Sequence, residues 1–308
     1  MKQRLLFAGT PQFAVPALSA LIESGRSPLA VLTQPDRASG RGQRVSQSPV
    51  KQLAVTHQLP VLQPRSLREP AALATIADYC PDLLITAAYG LILPRAVLDL
   101  PRFGCWNLHA SLLPRWRGAS PINQAILHGD EETGISLMQM EAGLDTGPVL
   151  ARVATTINES ETAGELHDRL APMAAGLLLE ILVELESGQL PQAQPQDESQ
   201  ATHAPLIAKS DAALDWRRPA PELARAVRAY DPWPVAHADI EGQTLRLFRA
   251  SVGPSCEQPP GTLVRGHGRR DAVVVACGQG SLAIAELQAP GRKRLRAAEW
   301  FNAHPDWR

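Results

Sequence analysis

The chain has 308 residues, more than one hydrophobic core usually serves, so two domains are expected. Hydrophobic residues make up 44% and charged residues 20%, enough apolar material for packed cores and too much for a disordered chain. The formal charge of -1 covers a small asymmetry: residues 1–209 carry 16 Lys and Arg against 20 Asp and Glu, and residues 210–308 carry 14 against 11, a faint pointer to an anionic partner at the C-terminal end.

From the N-terminus, Arg4 to Ala8 reads as a short buried strand, Gly9-Thr10-Pro11 as a tight turn and Phe13 to Glu23 as an amphipathic helix. Lys2 and Arg4 ahead of an apolar stretch imitate a secretion signal, but Pro11, Gln12 and Pro16 interrupt it. Strands follow at Leu29–Thr33, Val61–Gln63, Asp82–Ala88 and Cys105–His109, with helices near Val50–His57 and Leu67–Tyr79. Such alternation predicts a mostly parallel, doubly wound sheet covered by helices. Two further strands, Gly134–Met140 and Val149–Ile157, flank the turn-rich Gly143 to Pro148, and a long helix from Thr162 to Ser187 closes a first domain of residues 1–189.

Residues 190–209 are rich in proline and glutamine and poor in large apolar side chains, which is linker composition. A helix from Ala220 to Tyr230 then precedes short alternating segments at Thr244–Phe248, Ala272–Ala276 and Leu282–Leu287, the pattern of a small β-barrel over residues 210–308. The four cysteines are scattered, which supports neither a zinc ribbon nor a disulfide framework and fits a reducing, cytoplasmic setting. No run of about 18 apolar residues exists, so a membrane span is not expected.

The chemistry-bearing residues cluster late in the first domain. Asn107 and His109 are two apart on a strand and face one side, near the C-terminal edge where open α/β sheets hold ligands. Asp145 sits between Gly143 and Gly147 in a turn that can direct a carboxylate inward. Taken singly, an Asn-x-His pair and an Asp in a glycine-rich turn mostly serve local hydrogen bonding. Ser111 with His109 and Asp145 has the residue types of a hydrolytic triad but lacks the Gly-x-Ser-x-Gly elbow. The loop from Asp36 to Lys51, with Arg37, Arg41, Arg44 and Lys51, could clasp a phosphate backbone or be an ordinary solvated loop, and the same two readings hold for Arg292, Lys293 and Arg294. Gly9-Thr10-Pro11 lacks the remaining glycines of a dinucleotide fingerprint and lacks a Walker lysine.

Read together, Asn107-Leu108-His109-Ala110-Ser111-Leu112-Leu113-Pro114 and Gly143-Leu144-Asp145-Thr146-Gly147 resemble the folate-dependent formyltransferase family. Phe7 to Pro11, Gln34 to Arg37, Ser48 to Lys51, Ala88 to Pro94, Leu214 to Trp216 and Asp231 to Pro234 carry the resemblance over essentially the whole chain, with Ala110 standing where many members have glycine. It implies a Rossmann-like catalytic domain, an OB-like barrel, 10-formyltetrahydrofolate as formyl donor and methionyl initiator tRNA as acceptor, with no metal and a monomeric protein. It implies further that Asn107, His109 and Asp145 are catalytic, that Ser111, Leu112, Leu113 and Pro114 line the folate pocket, and that Arg37, Arg41, Arg44, Lys51, Arg292, Lys293 and Arg294 meet the tRNA. Asn107 and protonated His109 would donate to the oxyanion that forms at the formyl carbon, with Asp145 orienting His109. The other readings are a formyltransferase for an amino-sugar nucleotide or for glycinamide ribonucleotide, a non-catalytic RNA-binding module, and a hydrolase built on Ser111.

Overall fold

The computed structural model describes residues 3–39, 44–189, 192–266 and 270–307, with the side chains at 38, 39, 44 and 45 left out. In chain order the elements up to residue 204 are β1 (Leu5–Gly9), α1 (Val15–Glu23), β2 (Ala30–Leu32), β3 (Arg37–Ser39), β4 (Arg44–Ser46), α2 (Pro49–Thr56), β5 (Val61–Leu62), α3 (Pro70–Asp78), β6 (Leu83–Ala87), α4 (Arg95–Leu98), β7 (Cys105–His109), β8 (Arg117–Gly118), α5 (Pro121–His128), β9 (Glu132–Gln139), β10 (Val149–Thr156), α6 (Ala163–Glu186) and β11 (His203–Ala204). The remainder holds α7 (Ala220–Ala229), β12 (His237–Ile240), β13 (Gln243–Val252), β14 (Val273–Ala276), β15 (Ser281–Gln288), β16 (Leu295–Arg296) and α8 (Ala297–Ala303).

Seven strands form the main sheet in the order β10-β9-β7-β6-β1-β2-β5. The run from β7 to β5 is parallel throughout, while β9 lies antiparallel against β7. β1 and β6 are buried at every position, which is why Leu-Leu-Phe-Ala-Gly and Leu-Leu-Ile-Thr-Ala read as nearly continuous apolar runs rather than alternating ones. The expected strands of this sheet and the long helices are all present, with ends displaced by at most three residues as hydrogen bonding at element ends dictates.

The basic loop after β2 contains a short antiparallel hairpin, β3 with β4, that its sequence does not announce. Lys51 Nζ closes the base of this hairpin by donating to Asp36 Oδ2 at 2.6 Å and Gln63 Oε1 at 2.8 Å, while Gln63 Nε2 donates to Asp36 Oδ1 at 2.8 Å.

By compactness the chain divides into two units. One comprises residues 1–118, 133–155 and 167–203, the other residues 119–132, 156–166 and 204–308, so the division is not a single cut in sequence. The stretch of linker composition runs with the first unit as far as His203: Gln194 and Val149 exchange backbone hydrogen bonds, and Arg117 N donates to Thr202 O at 2.9 Å. In the second unit β12, β13, β15, β14 and β16 make a five-stranded antiparallel sheet curled as a half-barrel, and α7 packs on it through Leu223, Ala226, Val227 and Tyr230. No helix among the described residues is long and apolar enough to cross a membrane.

Candidate active site

Three pieces of the first unit build the site: the end of β7, the turn after it, and the turn between β9 and β10. β7 alternates as its sequence requires, with Trp106 and Leu108 buried on one face and Asn107 and His109 on the other. Residue 107 pairs with Thr86 on β6, and the Thr86 hydroxyl donates to Asn107 Oδ1 at 2.8 Å. With its oxygen engaged there, the amide turns its NH₂ group away from β6, so what Asn107 offers a ligand is a hydrogen-bond donor.

His109 is 6% exposed. Its Nε2 lies 2.8 Å from Trp116 O, and because a carbonyl only accepts, that nitrogen carries a proton. Nδ1 faces Asp145 Oδ2 at 3.6 Å, an ion-pair contact longer than a hydrogen bond. The same Asp145 oxygen accepts from Gly118 N at 2.9 Å, which fixes the carboxylate in place. Asn107, His109 and Asp145 are therefore brought together by one strand end and one turn.

The turn carrying Asp145 is held tightly. Asp145 has φ 53°, a left-handed conformation that a non-glycine residue keeps only when its surroundings impose it. A Cβ on Gly147 would sit 1.9 Å from Gln139 O, so only glycine fits that approach to β9. Gln196 Nε2 donates to Asp145 O at 2.8 Å and Gly147 O at 2.7 Å, and its Oε1 accepts from Arg117 Nε at 3.0 Å. Arg117, 2% exposed, forms a fork with Glu198 at 2.9 and 2.8 Å that holds the Glu198 carboxyl below its ordinary range.

The segment Ser111–Pro114 is braced rather than open. Ser111 is fully buried and its Oγ donates to Arg115 O at 2.6 Å, while Ser111 O accepts from Ser136 Oγ at 2.7 Å. Leu113 N donates to Ser136 Oγ at 3.0 Å, Leu113 O accepts from Arg152 Nε at 3.0 Å, and the Leu113 side chain packs with Met138 and Val149. Leu112 and Pro114 are the partly exposed members of the four. A buried hydroxyl committed to a carbonyl is no nucleophile, which removes the hydrolase reading of Ser111. Burial pushes the Cys105 thiol up to about 12, so it is not a thiolate at neutral pH.

The basic residues are dispersed. Arg37 is exposed at the start of β3, whereas Lys51 is committed to Asp36 and Gln63. Arg41 and the Arg44 side chain lie outside the described residues. In the second unit Arg292 and Lys293 are exposed, but Arg294 stacks on Phe248 at 4.0 Å and pairs with Glu286. Among the described residues no cluster of His, Cys, Asp and Glu could hold a metal ion.

Thr86, Arg117 and Gln196 were not among the residues expected from sequence. Thr86 had a signal, being a lone polar residue inside the buried run of β6. Gln196 had none, since its composition marked it as linker.

A formyl transferase family model matches residues 1–182, and a model of the formyl transferase C-terminal domain matches residues 206–305. The methionyl-tRNA formyltransferase of Methylococcus capsulatus is 52% identical over 302 residues, covering 98% of this chain and 97% of that protein. That of Stutzerimonas stutzeri is 51% identical over 300 residues, covering 97% and 94%. A solved structure of HypX from Aquifex aeolicus with tetrahydrofolic acid aligns with a TM-score of 0.65 at 18% identity, covering 98% of this chain and 47% of that one, a likeness of fold. With both of its domains matched nearly end to end, the chain belongs to the formyl transferase family.

Proposed function

We propose that the chain transfers the formyl group of 10-formyltetrahydrofolate to the α-amine of methionyl initiator tRNA. The chain is a formyl transferase, and identity near 50% over almost its full length joins it to relatives named for methionyl-tRNA rather than for an amino sugar. The observation that carries the site assignment is the grouping of the Asn107 amide, the His109 ring and the Asp145 carboxylate at the C-terminal edge of the parallel sheet.

The folate supplies an activated formyl carbonyl. The α-amine of an aminoacyl ester titrates at or below about 7.7 to 8.0, so a useful fraction is neutral near pH 7 and attacks without a covalent enzyme intermediate. As attack builds charge on the formyl oxygen, Asn107 Nδ2 donates to it together with Nδ1–H of the protonated His109 ring, the Nε2–H being taken by Trp116 O. Asp145 keeps the ring oriented, and the departing nitrogen is protonated either through a water that carries the amine's proton and is held by Asp145, or by His109 Nδ1–H, whose place the amine's proton then takes. Leu112 and Pro114, the partly exposed members of the 111–114 turn, would touch the folate, while Ser111 and Leu113 shape that wall from behind. Residues 1–189 would serve as the catalytic domain, 190–209 as the connection and 210–308 as a tRNA-binding domain, with Arg37, Arg41, Arg44, Lys51, Arg292, Lys293 and Arg294 toward the RNA. We place the protein in the cytoplasm as a monomer.

The test offers the purified chain 10-formyltetrahydrofolate with methionyl initiator tRNA, methionyl elongator tRNA, an amino-sugar nucleotide and glycinamide ribonucleotide in parallel. Formylation of the first acceptor alone is expected. Turnover of the sugar nucleotide, or tRNA retention without formyl transfer, would refute it.

A further inference from the structure

We propose that Gln196 is a positioning residue for Asp145, so that a segment with the composition of a linker sets the geometry of the active site. This rests on the formyl-transfer reading above. Asp145 holds a left-handed backbone conformation at φ 53°, and its carboxylate already stands 3.6 Å from His109 Nδ1, so small movements of the turn open or close that contact. Beside the carboxylate's bond to Gly118 N, the Gln196 side chain grips this turn at both ends, donating to the carbonyls of residues 145 and 147.

The amide cannot be turned round. With its nitrogen and oxygen exchanged, Oε1 would face two carbonyl oxygens and Nε2 would face the Arg117 guanidinium, leaving every contact repulsive. Arg117 locks this orientation, being buried and itself held by Glu198. The chain of contact thus runs from Glu198 through Arg117 and Gln196 to the Asp145 turn, all within the first unit. Gly147 lies so close to Gln139 O that an added Cβ would stand 1.9 Å from it, which leaves the turn little room to move toward β9.

Gln196→Glu keeps the shape and gives Arg117 an acceptor but removes both donors, and Gln196→Met removes them without adding charge. In steady-state formylation both variants should lower kcat by roughly 10-fold or more, the worth of two hydrogen bonds, with KM for donor and tRNA little changed. Added to Asp145→Ala, either should cost nothing further, because the amide acts only through that turn. Ring ¹⁵N resonances of His109, assigned through their loss in His109→Gln, give a readout independent of turnover. They should move in both Gln196 variants but stay in place in Gln200→Glu, which makes the same charge change on the same segment.

Wild-type kcat, a further loss on the Asp145→Ala background, or unmoved ring resonances in the Gln196 variants would each overturn the proposal. A wild-type chain that transfers no formyl group would count against the functional reading alone, and the ring resonances would still decide the role of Gln196.

Discussion

The Thr86 hydroxyl donates to Asn107 Oδ1 at 2.8 Å, and this single bond decides which end of the amide faces the reaction. A hydroxyl has one proton, and Trp106 O at 3.1 Å and Met140 Sδ at 3.3 Å compete for it, so the shortest contact takes it. Thr86→Val removes the donor in a site that is 2% exposed, leaving Asn107 free to rotate. We expect kcat to fall about 3- to 10-fold, as one hydrogen bond is worth, with KM for the folate unchanged and Thr86→Ser restoring the rate. An unaltered kcat in Thr86→Val would show that the amide is oriented by something else.

Asn107→Ala and His109→Ala should each lower kcat by about 10²- to 10³-fold while the folate still binds, because each removes a donor that matters most as charge develops. Asp145→Asn leaves the acceptor for Gly118 N in place but removes the charge facing His109 Nδ1 at 3.6 Å, so its loss should come in kcat with the fold intact. Kinetics at saturating folate, alongside thermal unfolding, separate the two effects. A variant at either alanine position that turned over like wild type would remove that residue from the mechanism.

How much of this was legible beforehand follows from the range over which each signal acts. The pairing of Asn107 with His109 on one face needs only the two-residue period of a strand, and β7 spans Cys105–His109 as read. The approach of Asp145 to His109 was carried by motif resemblance alone, since no local rule closes a contact between β7 and a turn beyond β9. The β3–β4 hairpin went unseen because three residues a side, without alternating apolar positions, give periodicity nothing to register. The helix α5, Pro121–His128, was missed as well. Gln196 is the sharpest case: a glutamine that donates to two carbonyls has the same composition as a glutamine in solvent. For Lys51 the sequence shows a charge but not its partners, Asp36 and Gln63, which lie 15 and 12 residues away.

Gly134 shows how closely β9, β10 and the 111–114 turn approach one another. A Cβ there would lie 2.1 Å from Val153 O and 2.7 Å from Leu112 Cδ2, and the first of these is backbone in a paired strand. Gly134→Ala should therefore destabilise by about 1–3 kcal/mol, as overpacking does, and displace Leu112. Chemical denaturation measures the first, and a raised KM for the folate would report the second. Full stability in the alanine variant would mean that β10 yields more readily than its hydrogen bonds suggest.

Glu165 gives the chain an acid-sensitive contact. Arg249 and the backbone and hydroxyl of Thr162 hold its carboxyl down to about 2, against an ordinary value of 4.5. A carboxyl whose folded value lies below its unfolded one stabilises fully above about 4.5, and that contribution fades as pH falls toward 2. Since the pair is 42% and 46% exposed, solvent screening limits it to about 1 kcal/mol or less. Unfolding free energies of wild type and Glu165→Gln should accordingly differ near neutral pH and converge in acid. A gap that stayed constant would assign the difference to lost helix capping at α6 rather than to charge.

Arg37 and Lys51 lie at opposite ends of one basic loop yet should behave differently toward RNA. Each phosphate contact formed on binding releases a counterion and contributes roughly 0.7 to 0.9 to the steepness of log K against log salt. Arg37 is exposed and can make such a contact, so Arg37→Ala should weaken tRNA binding and flatten the slope by about that amount. Lys51, 16% exposed and paired with Asp36, has no comparable charge to offer. Lys51→Ala should instead loosen the base of the hairpin and leave Asp36 unpaired, weakening binding at every salt concentration with the slope preserved. Titrations of initiator tRNA across a salt series discriminate the two, and a slope reduced equally by both substitutions would mean that Lys51 leaves Asp36 for the phosphate backbone when RNA arrives.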